Sequence, residues 1–269
     1  MIKSLELKKK SFLKKFEEIT ENFCHKTDAY VSEPSDENIH DIRVAIRRLE
    51  SAHRIFPKTV KTRTGIRNYV KNAKMLFKLN AEIRDFDIIC ARLETKYQNK
   101  THDLVEALKN QRKGRLEEAN KIALKLSNLR PPKISETILK ESKFKRRYKK
   151  IINEIVLSIQ KNFIISLRDE RKIEELHMLR KDFKKLRYSL ELASNTKTTS
   201  FLVKSLKSIQ NILGEIHDSD IIIEYLKNVE QNSQFLDIVE SEVLERRKKY
   251  RAFIAFFKRR KSVLRNLGL

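Results

Sequence analysis

Apolar residues recur at helical spacing along nearly the whole chain. The pattern predicts helices over 3–31, 36–56, 62–80, 86–98, 101–127, 134–167, 171–194, 199–213, 219–230 and 234–262. Ser35, followed by Asp36 and Glu37, has the chemistry of a helix start: a side-chain acceptor for free backbone N–H groups, then acids at the positive end of the dipole. Pro57 ends the same helix. Gly and Pro number only four each, which fits long helices with few tight turns and little sheet. The expected fold class is all-α.

The pattern also repeats. His40-x-x-Arg43-x-x-x-Arg47-Arg48-Leu49 returns as His177-x-x-Arg180-Lys181-x-x-Lys184-Lys185-Leu186, an offset of 137 residues. Glu82-Ile83-Arg84-Asp85-Phe86-Asp87 returns as Glu215-Ile216-His217-Asp218-Ser219-Asp220, an offset of 133. Self-similarity of this length marks a duplicated supersecondary unit. Leu129-Arg130-Pro131-Pro132 lies near the midpoint and divides 1–130 from 131–269, each half holding about four long helices. The expectation is two helical halves packed about a pseudo-two-fold axis.

On a helical wheel His40, Arg43, Arg47 and Arg54 share a narrow sector. Ile42, Ile46, Leu49 and Phe56 fall well over a right angle away. The second copy places His177, Arg180, Lys184 and Arg187 opposite Leu176, Leu179, Phe183, Leu186 and Leu190. Glu50 stands where Arg187 stands, and Glu191 where Arg54 stands, so each stripe carries one acid. The next helix of each half repeats the theme. Lys71 and Lys74 align with Lys204 and Lys207, over the apolar sets Tyr69, Ala73, Leu76 and Leu202, Leu206, Ile209. Arg63, Arg67 and Lys78 extend the first stripe. A single cationic helix face is ordinarily just solvated. Recurrence of the same spacing, the same His and the same second helix points instead to a basic groove or channel.

Composition agrees. Sixty Lys and Arg against 36 Asp and Glu give a formal charge of +24, an excess whose usual counterpart is nucleic acid, an acidic membrane or a phosphate polymer. The N-terminal segment lacks the apolar core of a secretory signal, and no apolar run reaches the roughly 20 residues of a membrane span. Cys24 and Cys90 have no metal-ligand spacing and read as reduced thiols. These features predict a soluble cytoplasmic chain.

The paired His motifs, together with Leu206-Lys207-Ser208-Ile209-Gln210-Asn211-Ile212-Leu213-Gly214-Glu215-Ile216-His217-Asp218, resemble the conserved histidine α-helical domain (CHAD) family. The resemblance covers most of the chain. It implies two four-helix bundles related by internal symmetry around a central basic surface that binds inorganic polyphosphate. Without a Glu-x-Glu-x-Lys motif the chain is expected to be a stand-alone binding module. Polyphosphate granules are one candidate location, with granule targeting, sensing and recruitment all open as its role. The expected polyphosphate-binding residues are His40, Arg43, Arg47, Arg48, Arg54, Arg67, Lys71, Lys74 and Lys78 in the first half. In the second half they are His177, Arg180, Lys181, Lys184, Lys185, Arg187, Lys204 and Lys207. Glu50 departs from the family's pattern and weakens or shifts the first site.

Two other functions compete. Nucleic acid, bound non-specifically through its backbone, is the alternative partner. Against it, Tyr188 is the one aromatic in the basic sectors and Trp is absent, whereas single strands are bound largely by stacking. A metal-dependent phosphohydrolase would use His217, Asp218 and Asp220 with Asp85 and Asp87. Arg84 replaces His217 in the repeat, and capping or pairing with an Arg is the commoner role of such aspartates near a helix start. The expectation is a binder with no catalytic residue, metal or cofactor. Lys143–Lys150 either lines the channel or coats the surface, and the basic helix 245–261 packs Phe253, Phe256 and Phe257 rather than lying on a membrane.

Overall fold

Ser35 caps its helix as its chemistry requires, accepting the backbone N–H of Asn38 at 3.3 Å, in a computed structural model of the chain. The structure describes residues 7–193, 196–229, 232–260, 262–263 and 265. The outermost parts of the predicted helices 3–31, 171–194, 219–230 and 234–262 lie outside the described residues, at 3–6, 194, 230 and 261. Among those described there is no strand. The helices are α1 (Lys9–Ser32), α2 (Asp36–Ile55), α3 (Lys58–Arg63), α4 (Ile66–Lys96), α5 (Gln98–Ser127), α6 (Glu141–Arg168), α7 (Ile173–Glu191), α8 (Lys197–Asn228) and α9 (Leu236–Arg259). Short 3-10 turns occupy Glu136–Ile138 and Asn232–Phe235.

Several boundaries differ from the sequence expectation. Residues 134–140 are irregular apart from one 3-10 turn, and α6 begins only at Glu141. Pro57 does not merely stop α2; it opens the short helix α3. Gly65, at φ 69°, then supplies the left-handed step into α4. The main correction concerns the two Asp motifs. Breaks were expected at 80–86 and 213–219, yet α4 and α8 run straight through both. No proline interrupts either segment, and Gly214 weakens a helix by only about 1 kcal/mol. The aspartates are therefore mid-helix residues, not caps, and Asp87 and Asp220 pair with arginines, the role the sequence set beside capping.

The chain forms two compact units, Leu7–Tyr148 and a second from Lys149 onward, with the division inside α6. In the first, α1 packs on α2 and α5, and α4 on α2 and α5. Phe12 is wedged against Phe56 at 5.0 Å and Phe144 at 4.8 Å, with Phe16 edge-on to Phe56. The predicted apolar face of α2 is fully enclosed: Ile42, Ile46, Leu49 and Phe56 are each 0% exposed. In the second unit α7 and α9 pack on α8, and α6 joins α9 through Phe163, Phe253 and Phe257. Leu179, Phe183 and Leu186 of α7 are likewise buried. The C-terminal helix thus packs its aromatic face, Phe253 and Phe257 being buried and Phe256 partly so. No described helix is long and apolar enough to cross a membrane.

An ion pair ties the long helix of each unit to the next. Asp87 on α4 is 4% exposed and accepts from Arg112 Nε of α5 at 2.6 Å, while Arg112 Nη2 donates to Asp36 at 2.8 Å. Asp220 on α8 accepts from Arg246 Nε of α9. Burial raises both carboxyls above the ordinary range despite the arginine beside each. Desolvation is therefore incompletely offset, and the pairs fix register more than they add net stability.

Removing one partner should be far worse than removing both. Arg112→Ala removes the hydrogen-bonded partner of the buried Asp87 carboxylate, with Arg84 left 3.8 Å away on the same helix, and should cost about 3–5 kcal/mol in urea denaturation. Asp87→Leu combined with Arg112→Met should recover a substantial part of that loss.

Candidate anion-binding surfaces

In the first unit the sector of α2 opposite the buried face carries the expected cations. His40 and Arg54 are exposed; Arg43, Arg47 and Arg48 are half-buried. Arg43 and Arg47 sit over the same ring. Their guanidinium carbons lie 4.3 and 4.8 Å from the centroid of Phe77 on α4, and Arg43 Nη1 donates to the Phe77 carbonyl at 2.9 Å. Stacking on an aromatic face and a backbone acceptor orient two like-charged forks that would otherwise splay apart. Phe77 was not among the sequence candidates, because nothing local marks a ring on another helix as a shelf for cations. On α4, Arg67, Lys71 and Lys78 are exposed, and Lys74 pairs with Glu50 at 3.3 Å. The acid that interrupts the first stripe therefore holds one of its bases.

Past the end of this stripe lies a second group of cations. His53, in the last turn of α2, is half-buried among Lys61, Lys74, Arg147 and Arg54. Burial first, and these cations second, lower it to about 4. Lys61 is itself lowered to about 8 by burial and by Arg147, Arg54 and Lys74. Arg147 Nε donates to the Arg54 carbonyl at 2.8 Å. His53 and Lys61 were not assigned to the site from sequence, and Arg147 belongs to the basic run Lys143–Lys150, which the sequence left between lining the channel and coating the surface.

The second unit arranges its site differently. His177 on α7 and His217 on α8 meet at 3.2 Å between their Nδ1 atoms, with ring centroids 4.4 Å apart. One nitrogen donates and the other accepts, so the pair is held together by a single shared proton. Burial, then Arg180, His177, Lys184 and Lys181, lower His217 to about 3. Three of the expected cations therefore converge on the His pair. Lys185 turns instead to the buried Asp182 at 2.7 Å, which also accepts from Ser158. Arg187 lies 4.7 Å over the Tyr188 ring and 3.6 Å from Glu191. Lys204 and Lys207 are exposed on α8. Among the described residues, no three His, Cys, Asp or Glu side chains gather in a metal-binding group.

The His pair makes stability depend on acid. In the unfolded chain His217 titrates near 6.5, and in the fold near 3, so the unfolded state takes the proton first as pH falls. Stability that is complete above about pH 6.5 is lost progressively toward pH 3. Urea denaturation should show a loss of ~2–3 kcal/mol between pH 7.5 and 4.5 from this residue alone. His217→Gln should remove that part of the slope.

The comparisons with known proteins agree with one another. The crystal structure of the CHAD domain from the plant Ricinus communis is similar to this chain, with a TM-score of 0.60 at 15% identity, covering 98% of this chain and 93% of that one. Among curated proteins none matches. The sequence model of the CHAD domain matches residues 16–227. The chain belongs to the CHAD domain family.

Proposed function

We propose that the protein binds inorganic polyphosphate, without cleaving it, through the cationic faces of α2 with α4 and of α7 with α8. The observation that carries this reading is how the aromatic rings of those faces are used. Phe77 is covered by Arg43 and Arg47, and Tyr188 is buried beneath Arg187. Rings occupied in this way order the cations and do not themselves serve a base as a platform. Polyphosphate needs none: it is a flexible chain of charges, suited to forked guanidinium donors and point-charge ammonium groups. Membership of the CHAD family supports the same ligand. Both copies of the His motif take part, each on its own pair of helices.

Binding without turnover fits the roles of the acids. Asp87 and Asp220 are committed to Arg112 and Arg246, and His217 to His177. Phe201, exposed on α8 one turn before Lys204, is the ring through which a single-stranded nucleic acid would gain affinity.

Calorimetric titration with long-chain polyphosphate and single-stranded RNA, at matched phosphate and salt, should show tighter binding of polyphosphate. Arg180→Ala with Lys184→Ala should weaken polyphosphate about tenfold or more, roughly 1.4 kcal/mol for each tenfold, with helical content unchanged by circular dichroism. Tighter RNA binding that is lost in Phe201→Ala would assign the protein to nucleic acid. Incubation with polyphosphate and Mg²⁺ or Mn²⁺ should release no phosphate above background; turnover abolished by Asp218→Ala would make it a hydrolase.

A further inference from the structure

His53 stands apart from the stripes. It lies thirteen residues beyond His40 on α2, and the repeat places the buried Leu190 at its equivalent, so its role is not duplicated. Its Nε2 is enclosed by protein and meets no hydrogen-bond partner. A buried polar atom in that condition is uncommon and costs about 1–3 kcal/mol unless a partner is supplied.

The surroundings indicate what that would be. Cations reach His53 from four elements: Arg54 on α2, Lys61 on α3, Lys74 on α4 and Arg147 on α6. They are close enough to one another to depress Lys61 as well. Arg147 is anchored to the carbonyl of Arg54. Glu50, one turn before His53, is the acid of the group and pairs with Lys74 at 3.3 Å. Four cations against one carboxylate leave a concentrated positive charge, partly screened from water, beside an unsatisfied imidazole nitrogen.

We propose that His53, Lys61, Lys74 and Arg147 form a site for a single phosphate-sized oxyanion, and that His53 takes up a proton when it binds. The ligand is either free orthophosphate or the terminal phosphoryl group of a polyphosphate chain. In the second case the site deepens the polyphosphate reading above, on which that case rests. The proton follows from the change of field. Without an anion the imidazole faces only cations and one paired acid, and stays neutral. An anion among Lys61, Lys74 and Arg147 reverses the sign of the nearest charge, and the protonated ring then donates from Nε2. Glu50 releases part of its hold on Lys74, so the departure from the stripe becomes a stand-in counterion.

Proton NMR of the full chain reads this directly from the His53 Cε1–H titration, assigned by comparison with His53→Gln. Saturating orthophosphate or linear tripolyphosphate should raise its midpoint by about one pH unit or more. Lys61→Met should weaken the anion concentration dependence about tenfold. A larger effect of tripolyphosphate at equal concentration identifies the chain end as ligand, and a larger effect of orthophosphate identifies the free anion. A His53 midpoint unmoved by both anions overturns the proposal, and that titration is read on the wild-type protein. The two readings fail separately. Long polyphosphate that binds wild type, His53→Gln and Lys61→Met alike, with His53 unmoved, leaves the stripes as the site and removes this one. Orthophosphate that moves His53 in a protein that ignores polyphosphate does the opposite.

Discussion

Like charges held close together repel, and the basic faces exist only because something else overcomes that repulsion. In α2 and α7 the opposing force is the burial of the opposite face. Ile42, Ile46 and Leu49, and Leu179, Phe183 and Leu186, are fully enclosed. Each such side chain contributes roughly 1.5–3 kcal/mol of transfer free energy, enough together to outweigh the repulsion among a few partly solvated cations. The helix cannot rotate to disperse its charges without exposing that face. The ring and carbonyl of Phe77 help to keep Arg43 and Arg47 side by side. An aromatic ring orients a guanidinium without itself neutralising the charge.

The histidines follow from the same constraint. A group that can lose its charge does so when surrounded by cations, and both His53 and His217 are held well below their ordinary value. Neutral histidines let the faces pack more tightly than permanent cations would allow. They also form a reserve of positive charge that an incoming anion can draw out. The two units use this differently: in one the imidazole is paired with a second imidazole, in the other it is left with an unmatched nitrogen.

The acids have a separate task. Asp87–Arg112 and Asp220–Arg246 lie in the helix pairs α4–α5 and α8–α9, where a long helix must keep its register against its neighbour. Ridges and grooves of Leu and Ile tolerate sliding by a turn. A buried carboxylate hydrogen-bonded to an arginine of the neighbouring helix does not, because slippage strands a charge in low dielectric. Register in turn sets which residues of α4 face α2, including Phe77 and Lys74.

Helix content, the buried faces and the two basic stripes were legible in the chain, because periodicity is a local property written every three or four residues. Repetition strengthened the same reading, since it separates a selected pattern from a merely solvated face. Tertiary structure decided the rest. Asp87 and Asp220 find their partners in Arg112 and Arg246, more than twenty residues away in sequence. The meeting of His177 with His217, the shelf that Phe77 offers to two arginines and the cations around His53 each join side chains from separate helices. No local pattern encodes such pairings: they arise from where the packing of whole faces brings single side chains together, and that is settled only when the helices dock.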